Sequence, residues 1–235
     1  MMFEDYTYEI TPDQSIGIVR YLGCEEELLL PAQIDGLPVK TIRQHAFTMT
    51  DVVDIRIPEG VEVIATEAFA MCESLQHVSL PASLQTIGAG AFKSCEALRE
   101  IECAQANPRY LVRDGLLYDR LEAALVLCPP GLDLESVAVP YGIRTISSAA
   151  FYLNRKLRHV SLPLSLERIE SEAFLFTSAL PMLELPPYLK EIEENCFLMG
   201  IEKRFMLYAF PNSVGFRYAQ EHHIPVHPLY AIVTD

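Results

Sequence analysis

The sequence predicts an α/β repeat: a right-handed solenoid, β-rich with short helical turns, capped at both ends and interrupted by one side insertion. Three observations predict it. An isoleucine, three loose residues, a small residue and a phenylalanine recur in that order six times along 235 residues. A second phrase, an apolar run ending in proline, accompanies the first. The interval between successive phenylalanines is 22, 23, 59, 23 and 23 residues. Self-similarity at a period of ~20–50 residues marks a chain whose units pack on their neighbours and not around one core.

The first phrase runs Ile42 to Phe47, Ile64 to Phe69, Ile87 to Phe92, Ile146 to Phe151, Ile169 to Phe174 and Ile192 to Phe197. The small residue before each phenylalanine lets successive coils approach. The rings are expected to stack as an interior column at the strand spacing of ~4.7–4.9 Å. The second phrase ends at Leu30-Pro31, Ile57-Pro58, Leu80-Pro81, Val139-Pro140, Leu162-Pro163 and Leu185-Pro186. Its run reads apolar-x-x-apolar-x-apolar, as in Leu75-Gln76-His77-Val78-Ser79-Leu80. That alternation puts one row of side chains inside and the next in solvent. Proline then stops the ladder, since it has no N–H to donate. A turn and a short second strand such as Ser83 to Ile87 lead into the Ala-Phe phrase, on a tight bend or single helical turn. Three or four residues beyond the phenylalanine stand Thr50, Cys72, Cys95, Asn154 and Thr177, small groups suited to an internal ladder on the turn backbone.

The 59-residue interval leaves about 36 residues beyond one ordinary repeat. Asp114-Gly115 between Tyr110-Leu111-Val112 and Leu116-Leu117-Tyr118 is a strong hairpin signal. A third strand, Ala124 to Leu127, would complete a small meander.

Thirty-two acidic residues against 18 basic give a formal charge of −14. This disfavours nucleic acid, whose binding relies on basic side chains displacing counterions, and disfavours an anionic membrane surface. High negative charge suits basic partners. The first residues have no basic and apolar pattern of a secretory signal, and no stretch approaches the ~20 apolar residues of a membrane helix. The compartment expected on that reading is cytoplasmic, or extracellular if a native leader is missing from this sequence.

No pattern here assembles a catalyst. The six cysteines, Cys24, Cys72, Cys95, Cys103, Cys128 and Cys196, form no Cys-x-x-Cys pair. Cys72 and Cys95 hold equivalent repeat positions roughly 5 Å apart, close enough for a disulfide, though buried reduced thiols are the expected state. His222, His223 and His227 form a cluster that Pro225 interrupts, so no metal site is assigned. Gly88-Ala89-Gly90 echoes a phosphate loop but lacks its third glycine and its long helix. Glu191, Glu193 and Glu194 read as a solvated face. Neither catalytic residues nor cofactors are expected.

The candidate binding surface is the outward row of the main strands: Asp54, Arg56, His77, Ser79, Glu100 and Glu102, then Ser136, Ala138, His159, Ser161, Met182 and Glu184. Extended repeat surfaces of this kind commonly take partners. A protein is the expected partner, bound through this face or the meander, with no nucleic acid, no membrane insertion and a monomeric state. The rival reading is a structural or adhesion module with no dedicated ligand. A carbohydrate binder would want an aromatic platform, and the chain has no tryptophan.

Leu80-Pro81-Ala82-Ser83-Leu84-Gln85-Thr86-Ile87-Gly88-Ala89-Gly90-Ala91-Phe92-Lys93-Ser94-Cys95-Glu96-Ala97-Leu98 resembles, nearly throughout, the repeat of the BspA-type leucine-rich repeat family. The resemblance implies the hairpin insertion, an opening coil around Tyr21 to Val39, and a closing segment around Pro211 to Pro225 with a short helix and a last strand. It divides one domain, 1–235, into an N-terminal cap (1–41), repeats (42–104), a meander insertion (105–131), repeats (132–200) and a C-terminal cap (201–235). Many members of that family are bacterial surface proteins implicated in adhesion.

Overall fold

A computed structural model of the chain describes residues 5–197 and 205–230. The outer ends of both expected caps, and the last residues of the second repeat block, lie outside them. The chain divides into two compact units, 1–121 with 127–132, and 122–126 with 133–235.

In the first unit, strands β1 (Tyr6–Ile10), β2 (Ile16–Tyr21), β3 (Glu27–Leu29), β4 (Gln33–Ile34), β5 (Leu37–Ile42), β6 (Asp54–Arg56), β7 (Val63–Ile64), β8 (His77–Leu80), β9 (Thr86–Ile87) and β10 (Glu100–Cys103) wind as a solenoid. The longer strands β3, β6, β8 and β10 form one parallel sheet, and the first three each lead into a proline. Strands β5, β7 and β9 continue a second sheet that the antiparallel pair β1–β2 closes. The hairpin follows as β11 (Tyr110–Arg113) and β12 (Leu116–Asp119), antiparallel about the Asp114–Gly115 turn.

The second unit repeats the plan. Strand β13 (Ala124–Leu127) pairs in parallel with β15 (Thr145–Ile146), so the third strand expected of the meander is also a rung of the coil. The sheet runs on through β17 (Arg168–Ile169) and β19 (Glu191–Ile192). The longer strands are β14 (Ser136–Ala138), paired with β16 (His159–Ser161), and β18 (Met182–Glu184), paired with β20 (Met206–Ala209) and through it β21 (Val226–Pro228). Helix α1 (Val214–Glu221), capped by Ser213 accepting from the Phe216 N–H, lies between β20 and β21.

The sequence explains each corner. Residues before the prolines still donate to the next coil, as Ile57 N–H to Ser79 C=O at 3.0 Å and Val139 N–H to Ser161 C=O at 2.9 Å. The proline carbonyl then accepts from the residue three positions on, closing a turn at Pro58, Pro81, Pro140, Pro163 and Pro186. At the opposite corner the phenylalanine N–H donates to the small residue's carbonyl one coil later: Phe47 to Ala68, Phe69 to Ala91, Phe151 to Ala173 and Phe174 to Cys196, all 2.8 Å. The small side chains at this corner are buried. The corner is a tight bend and not a helical turn, and α1 is the one α-helix among the described residues.

The aromatic column exists within each unit. Tyr21, Phe47, Phe69 and Phe92 stack with centroids 4.9–5.3 Å apart, and Tyr6 meets Tyr21 tilted at 5.2 Å. Phe151, Phe174 and Phe197 stack at 4.9 and 5.5 Å, and Tyr218 of α1 meets Phe197 edge-on at 5.9 Å. Tyr21 and Tyr218 thus cover the ends that a bare coil would expose.

Candidate functional site: the strand face

Strand alternation builds this surface. In the first unit, Leu28, Ile55, Val78 and Ile101 form a buried row beneath the main sheet. Their neighbours point outward in two registered rows. Glu27, Asp54, His77 and Glu100 make the first, and Leu29, Arg56, Ser79 and Glu102 make the second. All six residues expected there from the sequence share this face. Glu27 and Leu29 were missed, although Glu27-Leu28-Leu29-Leu30-Pro31 carries the same pre-proline pattern as the later strands.

His77 is the hub of the face. Its Nδ1 lies 2.8 Å from Asp54 Oδ2 and its Nε2 lies 3.7 Å from Glu102 Oε2. Arg56 Nε stands 4.0 Å from Asp54 Oδ1. The imidazole side chain is 18% exposed, so it is fixed among its neighbours yet reachable. A shallow depression of about 410 Å³ opens here, lined by Glu26, Glu27, Asp54, His77, Glu100 and Glu102 together with Arg99. Five carboxylates against one arginine and one histidine give a negative local field. A second depression of about 530 Å³ lies beside it, lined by Ser79, Glu102, Cys103 and Val112.

The second unit presents a different face. Ser136 is in register with His159, and Ala138 with Ser161, above buried Val137 and Val160. Met182 registers with Met206, and Glu184 with Tyr208 and His227, above buried Leu183 and Leu207. The Tyr208 and His227 rings stack at 5.0 Å. These two were also missed, because the closing strands lack the repeat phrase. Ser136, His159, Ser161, Met182 and Glu184 are all exposed.

Among the described residues none of the six cysteines is disulfide-bonded. The Cys72 and Cys95 thiols donate to the Phe47 and Phe69 carbonyls at 2.9 and 3.1 Å, the ladder expected of that position. Cys196 replaces the usual alanine, and its thiol donates to Glu170 C=O at 3.1 Å. Burial pushes the Cys128 and Cys196 thiols up to about 12. Gly88-Ala89-Gly90 is part of a coil corner. His222 lies against the Tyr218 ring at 4.1 Å, while His227 stacks on Tyr208.

Sequence reading also missed Asn107. Its amide is buried and makes four hydrogen bonds: Nδ2 donates to Pro81 and Leu84 carbonyls at 2.9 and 3.0 Å, and Oδ1 accepts from Arg109 and Tyr110 N–H at 2.9 and 2.7 Å. The Tyr110 hydroxyl accepts from Ile87 N–H at 2.8 Å. The insertion thereby satisfies backbone groups that a further coil would otherwise serve. A lone Asn-Pro pair offered no sign of this.

A sequence profile described as the BspA type leucine rich repeat region matches six copies, over residues 38–111 and 131–206. A leucine-rich repeat protein from Eubacterium ventriosum is 21% identical, with 74% of this chain and 46% of that one covered and a TM-score of 0.67. One from Bacteroides ovatus is 23% identical, covering 89% of this chain and 55% of that one, at a TM-score of 0.54. The pneumococcal vaccine antigen PcpA is 18% identical, covering 84% and 73%, at 0.51. These likenesses concern the fold, and the chain spans about half the length of the first two. A search among curated proteins finds no match. No helix among the described residues is long and apolar enough to cross a membrane.

Proposed function

The chain belongs to the BspA-type leucine-rich repeat family, and from that premise we propose that it is a non-enzymatic module that binds another protein through its strand face. The observation that carries this reading is the registered double row over β3, β6, β8 and β10, with its shallow depression. A flat array of half-ordered polar side chains on a rigid sheet presents a recognition surface at low ordering cost. Its carboxylate excess favours basic side chains on the partner and speeds their encounter. Asp54, Arg56, His77, Ser79, Glu100 and Glu102 are the contacts assigned in the first unit. Ser136, His159, Ser161, Met182 and Glu184 are those assigned in the second.

The test compares the native chain with a His77→Ala, Glu100→Ala, His159→Ala variant as baits in quantitative affinity capture. Binding through the face predicts that specific partners are lost while the variant's melting temperature is kept. Retention of every specific partner overturns the reading. Light scattering adds an independent check: a monomer is expected, and open-ended assembly would instead indicate a structural module.

A further inference from the structure

Cys72 and Cys95 occupy the same corner of adjacent coils in the first unit. Phe69 N–H to Ala91 C=O and Met71 N–H to Lys93 C=O, each 2.8 Å, hold the two corners in register around Cys72. Neighbouring rungs lie ~4.7–4.9 Å apart, within the ~4.4–6.8 Å between Cα atoms that a disulfide spans. Each sulfur makes the same bond to the phenylalanine carbonyl one coil back, at 2.9 and 3.1 Å, so the two side chains leave the backbone in parallel.

The two thiols are nonetheless unequal. The Thr50 hydroxyl lies 3.4 Å from the Cys72 sulfur. When Cys72 ionises, the Cys95 S–H, that hydroxyl and the Thr50 and Met49 N–H groups support the thiolate and hold it below the ordinary thiol range. Donation to that thiolate and burial push Cys95 up.

We propose that Cys72 and Cys95 are a thiol–disulfide exchange site whose co-reactant is a small oxidised disulfide, and whose product is a covalent bond between adjacent coils. The Cys72 thiolate attacks one sulfur of the small disulfide. That S–S bond breaks, a mixed disulfide forms on Cys72, and the departing thiolate takes a proton. Cys95 then gives up its proton to solvent and attacks the Cys72 sulfur, expelling the second small thiol. Two protein thiols are oxidised and one small disulfide is reduced to two thiols, so no other oxidant enters. The corner must open for the reagent to reach buried sulfurs, and its flanking Met71 and Glu73 are exposed.

The test incubates the full chain with oxidised glutathione, quenches with acid and maps cysteine peptides by mass spectrometry. The expected product is a linked Cys72–Cys95 peptide pair lighter by two hydrogens, with Cys128 and Cys196 still thiols. Closing a loop of one coil should raise the melting temperature by about 5–10 °C. Cys95→Ser should stop the reaction with glutathione held on Cys72. Serine fits there, since Thr50 and Thr177 occupy the same position in other coils. Recovery of both cysteines as thiols once exposed Cys24 is fully modified would overturn the proposal. So would glutathione retained on Cys72 in the native chain.

Discussion

Two residues before every phenylalanine of the repeat, the backbone is left-handed: His45, Glu67, Gly90, Ala149, Glu172 and Asn195, with φ between 52° and 60°. Only one is glycine. A side chain there costs ~1–2 kcal/mol, and the coil-to-coil hydrogen bonds around the corner override it. Gly90→Ala should therefore cost about 1–2 kcal/mol in urea unfolding through its left-handed φ of 58° alone, because its new methyl meets Lys93 Cβ at an ordinary 3.5 Å. Gly88→Ala should lose stability by a clash instead. Its methyl would sit 2.2 Å from the Thr66 backbone nitrogen, and a loss of about 1–3 kcal/mol or more is expected in the same assay. Asn107→Asp should cost about 3 kcal/mol, since a carboxylate cannot donate to the Pro81 and Leu84 carbonyls. The phenylalanines and their small neighbours were legible from spacing alone. The left-handed positions were not, because histidine, glutamate and alanine carry no such signal.

At the level of strands and coils, the aromatic column is the main cohesive feature. Phe174 lies between Phe151 and Phe197, so Phe174→Ala should cost about 3–5 kcal/mol by the shift in denaturation midpoint. The exposed edge of the second unit adds a pH-dependent tie. Glu193 pairs with Arg168 and accepts from Ser171 N–H at 2.9 Å, and the arginine foremost holds its carboxyl below the usual range. A depressed carboxylate stabilises fully above its unfolded value, ~4.3, and loses that contribution as pH falls through the lower folded value. The melting temperature should fall as acid is added below about pH 4, and Glu193→Gln should flatten that fall. The hairpin was legible from Asp114-Gly115, whereas the second allegiance of β13 was not: a four-residue apolar run fits a meander and a coil equally well.

Across the whole molecule the charge balance dominates solution behaviour. With a charge of −14 at pH 7 and an isoelectric point near 4.8, turbidity at fixed concentration should peak close to that pH and clear above it. The strand face was legible in outline because alternation along a strand dictates which side chains face water. Its electrostatic character was not. The composition of the rows in sequence looks mixed, and only registration brings Glu27, Asp54, Glu100 and Glu102 around His77.

The corner contacts link residues about one coil apart, as Phe69 does with Ala91 and Phe174 with Cys196. A growing polypeptide can therefore complete each rung as soon as the next one leaves the ribosome. At ~5–20 residues per second, a fresh turn becomes available every ~1–5 seconds, so this architecture suits vectorial folding that never waits for the far terminus.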